Sequence, residues 1–385
     1  MNLFEVYPLF DLEPVKGSGS YIFDGKGNAY LDLYGGHAVI SVGHSHPYYV
    51  NMIEKQLKRL GFYSNSVING LQTELAAKLG ELSGYNDYQL FLCNSGAEAI
   101  ENALKLASFH TNKEKVIAFN KGFHGRTSAA VSITDNPKIQ APVNQNHQVT
   151  FIGLNDLNAL ETHLKTETYC AVVVEGIQGI AGIITPSPSF LQSAEKLCQK
   201  YGALLILDEI QSGYARTGKF FAHDDTGIRP DIITTAKGMG NGFPMAGVLI
   251  NPAIKPSLGM LGTTFGGSHL ACAAGIAVLD IIKDENLVDH AKTLGDWWLQ
   301  ALAQIDNIKE IRGQGLMIAL EFDFPIKELR KFLLTNERII TGSSSDPKVL
   351  RLLPALNIGK EELIRFNTAL QSALNQLDSI AAAEI

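Results

Sequence analysis

Five short apolar runs punctuate the middle of this 385-residue chain: LFLC (90–93), VIAF (116–119), AVVV (171–174), ALLIL (203–207) and IITT (232–235). Segments with helical periodicity, such as LQTELAAKLGELSG (71–84), alternate with them. A continuous apolar run bounded by helical segments reads as a strand buried on both faces. Strands alternating with helices predict an α/β fold, a parallel sheet with helices on both sides. Ligands of such sheets gather at the carboxyl ends of the strands.

The two ends of the chain have a different texture. The stretch GSGSYIFDGKGNAYLDLYGG (17–36) predicts short strands joined by glycine turns. After about residue 270 a long helical pattern precedes short strands in GLMIALEF (315–322) and VLRLLP (349–354). The expected organisation is a large domain over 49–268 and a smaller α+β domain built from 1–48 and 269–385.

Composition narrows the function classes. A chain that is 45% hydrophobic can bury a large core. A net charge of -7 supplies no positive field for nucleic acid. Cys93, Cys170, Cys198 and Cys272 lie far apart, which suits small buried hydrophobes in a reducing compartment. No metal-ligand spacing appears among the ten histidines, so no metal is expected. The opening MNLFEVYPLFDLEP lacks a basic region before its apolar residues, so no signal peptide is expected. No apolar run is long enough for a membrane span. A cytoplasmic enzyme acting on small molecules is the expectation.

Four strand ends carry the chemistry. After LFLC, Ser95 and Glu98 form an S-x-x-E helix start, and Gly96 and Ala97 offer free amides there. This is either a capped helix or a phosphate site. After VIAF come Phe123, which packs or stacks on a flat ligand, and Arg126, a surface charge or a fork for a carboxylate. After ALLIL, Asp208 ends an apolar run, where a carboxylate is costly unless it has a partner. After IITT, Lys237 opens a glycine loop. Residues 213–219, GYARTGK, match part of a nucleotide-binding P-loop, but Phe220 stands where the magnesium-binding hydroxyl belongs. All four ends find a use if the ligand is pyridoxal phosphate. Lys237 bonds its aldehyde, Asp208 faces its ring nitrogen, Phe123 stacks on its ring, and the helix start holds its phosphate.

From about Tyr7 to the last helix the chain resembles class III, ornithine/acetylornithine-type aminotransferases of PLP fold type I. The resemblance rests on CNSGAEAIENALKLA, GFHGRT, LDEIQSGYARTG, TTAKGMGNGFPMAG, GTTFGGSHLACAA and IRGQGLMIALEF. It implies Lys237 and Asp208 as catalytic residues, with Ser95, Gly96, Ala97, Phe123 and Gln211 around the cofactor. It implies Thr264 reaching the cofactor phosphate of a neighbouring subunit, hence a homodimer with shared sites. It also implies Tyr7, Arg126 and Arg351 as substrate-carboxylate residues. The implied reaction moves the δ-amino group of an N-acylated ornithine to 2-oxoglutarate, giving a semialdehyde and glutamate, in arginine biosynthesis. Another ω-amino acid aminotransferase, of ornithine or 4-aminobutyrate type, is the alternative.

The chain departs from the family pattern at informative places. EGIQGIAGII (175–184) has Gly176 for a usual proline and Ile180 for a usual glutamate. In ornithine-type relatives that glutamate covers the arginine matching Arg351. With Ile180 there, an uncovered Arg351 suits a donor with an acidic acyl group, N-succinylornithine rather than N-acetylornithine. LGTTFGGSH carries Leu261, Ser268 and His269 in place of the usual His, Asn and Pro. His37 is either a packing histidine or part of the substrate entrance.

Overall fold

The structure, a computed structural model, describes residues 1–383; the last two residues of the segment 269–385 lie outside them. The N-terminal strands are β1 (Pro14–Ser18), β2 (Tyr21–Asp24) and β3 (Ala29–Asp32). The central strands are β4 (Gln89–Cys93), β5 (Lys115–Phe119), β6 (Val149–Ile152), β7 (Tyr169–Glu175), β8 (Leu204–Asp208), β9 (Ile232–Thr235) and β10 (Ala246–Ile250). The C-terminal strands are β11 (Glu310–Gln314), β12 (Met317–Glu321), β13 (Ile339–Ile340), β14 (Gly342–Ser343) and β15 (Val349–Leu352).

All five apolar runs are strands of one seven-stranded sheet, ordered β4-β10-β9-β8-β7-β5-β6. β7, β8 and β9 are buried along their whole length, which is why they read as unbroken apolar runs rather than alternating ones. Two strands were not legible. β6 sits at the sheet edge with mixed exposure, and β10 follows directly on the glycine loop and runs antiparallel to both β4 and β9. The sheet is therefore mostly, not wholly, parallel.

The helix Gly96–Thr111 starts where β4 ends. Ser95 is extended (φ -146, ψ 157) and its side chain accepts from the Glu98 amide, the N-cap geometry the sequence predicts. The helix buries Ala99, Ile100, Ala103, Leu104, Leu106 and Ala107. It stops at Asn112, whose left-handed φ of 54 an asparagine tolerates. The long helical pattern after residue 269 is two helices, His269–Asp284 and Leu287–Leu302, divided at Asn286, again left-handed with φ 49.

The two chain ends share a sheet. β1, β2 and β3 form an antiparallel meander, and β13 adds to β3 in parallel, Ile339 opposite Leu31. A third sheet, β11-β12-β15-β14, is antiparallel and sets Arg351 between Ala319 and Gly342. The helix His269–Asp284 packs on the helices Pro47–Arg59 and Gly70–Ser83 as well as on Leu287–Leu302. It thus packs against elements from before and after residue 269.

Candidate active site

One cavity collects the carboxyl ends of β4, β5, β7, β8 and β9. Its walls include Ser95, Gly96, Ala97, Phe123, His124, Glu175, Ile180, Asp208, Gln211 and Lys237. Parallel strands of one sheet end at the same edge, so residues as distant in the chain as Ser95 and Lys237 share one wall.

Asp208 is buried and doubly held. Its Oδ2 faces His124 Nδ1 at 2.7 Å, and its Oδ1 accepts from the Ile210 amide at 3.0 Å. Burial opposes a charge on His124, but the hydrogen bond and charge of Asp208, with Glu175 behind, raise it above the usual histidine range. The contact holds the Asp208 carboxyl in one orientation at the strand end, facing the cavity.

Glu175, the last residue of β7, accepts from the Phe123 amide at 3.0 Å and from the Gly179 amide at 3.0 Å. It thereby ties the loop carrying Phe123 to the loop carrying Ile180. Burial above all pushes its pKa up to about 7.

Lys237 follows β9 with φ 43, a left-handed conformation that is uncommon for a residue with a side chain. Backbone strain of this kind concentrates at functional sites. Burial, reinforced by Arg351 and opposed by Asp208 and Glu175, brings its amine down to about 8. A lysine so tuned has free base available near neutral pH.

At the helix start the capping is shifted by one residue. Ser95 Oγ accepts from the Glu98 amide, while Glu98 Oε2 accepts from the Asn94 amide at 2.8 Å rather than from Ser95. The first-turn amides of Gly96 and Ala97 have no intrahelical acceptor, as at any helix start, and they line the cavity. Gly125 packs so tightly against this turn that a Cβ there would lie 2.7 Å from the Ala97 Cβ.

Arg351 is 1% exposed, yet no carboxylate lies within ion-pair distance of it among the described residues. Its Nε donates to the Ser343 carbonyl at 2.6 Å, Nη1 to Gln211 Oε1 at 3.1 Å, and Nη2 to the Tyr34 hydroxyl at 3.4 Å. Gln211 in turn donates to the His37 carbonyl at 3.3 Å. Gly179 gives Gln211 its room, since a Cβ on Gly179 would fall 1.8 Å from Gln211 Oε1.

Three residues singled out from the sequence lie elsewhere in the single chain. Tyr7 is 77% exposed in the irregular segment before β1. Arg126 is exposed next to Gly125, and Thr264 is exposed beside Phe265. The P-loop reading of 213–219 does not hold. Turns replace the phosphate loop, and only a three-residue 3-10 helix, Asp224–Thr226, comes after them before β9. Arg216 is buried there, and donates to the carbonyls of Leu316, Pro354 and Ile40.

Glu175, the His124–Asp208 pairing and Tyr34 were missed. Glu175 ends an all-apolar run as Asp208 does, so the same strand-end argument applies to it. Tyr34 meets Arg351 across 317 positions, and no local pattern signals that contact.

An amine, a braced carboxylate, an aromatic face and free helix-start amides on one cavity match the aldehyde, ring nitrogen, flat ring and phosphate of pyridoxal phosphate. Fold and donor set together define a pyridoxal-phosphate-dependent enzyme. The chain belongs to the aminotransferase class-III family, whose model matches residues 5–374. It is 39% identical over 373 residues to an acetylornithine aminotransferase of Bacillus cereus, covering 94% of this chain and 94% of that one. Among solved structures it resembles the ornithine aminotransferase of Toxoplasma gondii, whose active site shows partial occupancy of PLP. The TM-score is 0.89, with 32% identity, 96% of this chain covered and 92% of that one. It also resembles an acetylornithine aminotransferase of Elizabethkingia anophelis, with TM-score 0.83, 30% identity and coverages of 96% and 95%.

Proposed function

We propose that this aminotransferase moves the δ-amino group of an N-acylated ornithine to 2-oxoglutarate, and that the acyl group is acidic: N-succinylornithine rather than N-acetylornithine. The observation that carries the reading is Arg351, buried with neutral partners only, while Ile180 occupies the cavity wall. A guanidinium removed from water without an anion is costly. A substrate carboxylate offsets that cost. An acidic acyl group provides one in the donor half-reaction, as 2-oxoglutarate does in the acceptor half-reaction.

When bound, pyridoxal phosphate supplies the electron sink that allows a C–H bond beside the amino nitrogen to break. Lys237 would hold the cofactor and, as a free amine, would take the proton from the substrate carbon. Asp208, braced by His124, would face the ring nitrogen and favour its protonated form. Phe123 covers the ring, and Ser95, Gly96 and Ala97 receive the phosphate. Gln211 stands between the ring side of the cavity and Arg351.

The assembly we propose is a homodimer in which Thr264 serves the partner's site. Phe62, Tyr63, Val67, Ile68 and Phe265 are exposed apolar residues around Thr264, and Phe62 and Phe265 are in ring contact at 5.4 Å. A cluster of this kind marks an interface. A step in arginine biosynthesis, in the cytoplasm, accords with the substrates and with four free, buried cysteines.

The test is kcat/KM for N-succinylornithine, N-acetylornithine and unacylated ornithine. A clear preference for the succinyl compound is expected, and Ile180→Glu should reduce it. Preference for the acetyl compound sinks the proposal. Preference for ornithine itself favours the alternative suggested by the ornithine aminotransferase likeness.

A further inference from the structure

Gly35–Ala38 is a left-handed turn. φ is 54 at Gly35, 56 at Gly36, 71 at His37 and 64 at Ala38. Left-handed backbone is disfavoured for residues that carry a Cβ, so the surrounding structure must impose this segment. Asp32 anchors its root, with Oδ1 accepting from the amides of Tyr34 at 2.9 Å and Gly35 at 2.8 Å. The turn brings the His37 ring back onto Tyr34, centroids 4.7 Å apart, with the Tyr34 hydroxyl on His37 Nδ1. Tyr34 also lies over the Arg351 guanidinium, 5.8 Å from its ring centroid.

The direction of the Arg351 contact follows from the donor inventory. A guanidinium only donates. The Tyr34 oxygen therefore accepts from Arg351. The Tyr34–His37 direction depends on the His37 tautomer: a neutral ring with its proton on Nε2 accepts the Tyr34 hydroxyl proton at Nδ1, and that is the form assigned to His37. Loss of hydration, then the charges of Lys237 and Arg351, hold it below the usual histidine range. The groups facing His37 are Tyr34, Lys237 and Arg351; Arg330 and Asp32 face Tyr34.

We propose that Tyr34 and His37 complete the carboxylate site at Arg351 and help determine substrate specificity: an arriving carboxylate accepts the Tyr34 hydroxyl proton, and His37 takes up a proton to face the new anion. The inference rests on the reading of Arg351 as the carboxylate anchor. In the empty relay the Tyr34 donor is spent on His37. Once His37 is protonated, Nδ1 becomes a donor to the Tyr34 oxygen, and the hydroxyl proton is released to the ligand. Binding of a dicarboxylate thus takes up a proton and weakens as pH rises through the histidine range.

Competition by glutarate, a dicarboxylate without a reactive keto group, tests this on the holoenzyme between about pH 6 and 8.5, where histidine titrates. The parent enzyme should lose affinity for glutarate with rising pH. Tyr34→Phe should raise Ki roughly tenfold near pH 6, the value of one hydrogen bond to a charged group. His37→Asn keeps a residue that accepts left-handed backbone and should remove most of the pH slope. The visible absorbance of the bound cofactor should stay as in the parent. If His37→Asn and Tyr34→Phe both leave Ki and its slope unchanged while Arg351→Met raises Ki, the relay is refuted and the anchor stands. If Arg351→Met also leaves Ki unchanged, the anchor reading itself is overturned.

Discussion

Glu175→Gln sets the cost of burying a charge against the need for two hydrogen-bond acceptors. The residue is 6% exposed and each of its oxygens receives one backbone amide. Its pKa rises from 4.5 to about 7, burial first, with Asp208 adding to the rise and His124 and the two amides opposing it. Between those values the unfolded chain has lost the proton and the folded chain has kept it. Stability therefore falls as pH rises across this window. Integrating the linkage from pH 5 to pH 8 gives about 2.5 kcal/mol lost by the parent and absent from the glutamine variant. The variant has its own deficit: an NH2 group now faces one of the two amides, costing about 1–3 kcal/mol at every pH. It should be less stable than the parent near pH 5 and close to equal, or more stable, near pH 8. An unfolding entropy of about 2.1 cal/mol/K per residue over 385 residues amounts to about 0.8 kcal/mol/K, so the swing in relative Tm is about 3 °C. Thermal unfolding of cofactor-free parent and variant at both pH values measures it. The same Tm difference at pH 5 and pH 8 would refute the assignment of a buried, proton-retaining Glu175.

Two further outcomes follow from the site. Gly125→Ala places a Cβ 2.7 Å from the Ala97 Cβ and 3.1 Å from the Ala130 Cβ at a φ of 139. Overpacking of this sort costs about 1–3 kcal/mol, and relief by moving the helix start should weaken cofactor affinity roughly tenfold or more in a fluorescence titration. Lys237, brought down to about 8, should capture added pyridoxal phosphate at a rate that climbs through about pH 8; a rate still climbing near the ordinary lysine pKa of about 10.4 would count against its burial.

Much of the large domain was legible because burial on both faces leaves a simple trace. β7 and β8 are mostly apolar runs and β9 is a buried β-branched run, and Glu175, Asp208 and Lys237, at or just past their ends, line the cavity. Ser95 was legible because helix capping is a local matter of four residues. β10 was not, because AGVLI looks alike as strand or loop, and only its pairing with β4 and β9 makes it a central strand. The split of the long helical pattern at Asn286 was equally invisible, since periodicity continues across it.

By itself the sequence determined five strands of the central sheet, the lysine and aspartate at its edge, the capped helix start beside them, and the family. These depend on short-range patterns: runs, caps and glycine loops that one segment carries alone. Tertiary structure decided what surrounds the reactive groups. It paired His124 with Asp208, made Glu175 the tie between two loops, and buried Arg351 among Tyr34, Gln211 and Ser343. Each of those contacts joins residues that are separate in the chain and close only because strands from different segments share an edge. The charge state of a buried group depends on all its neighbours at once, so the tuning of this site belongs to the fold and not to any one motif.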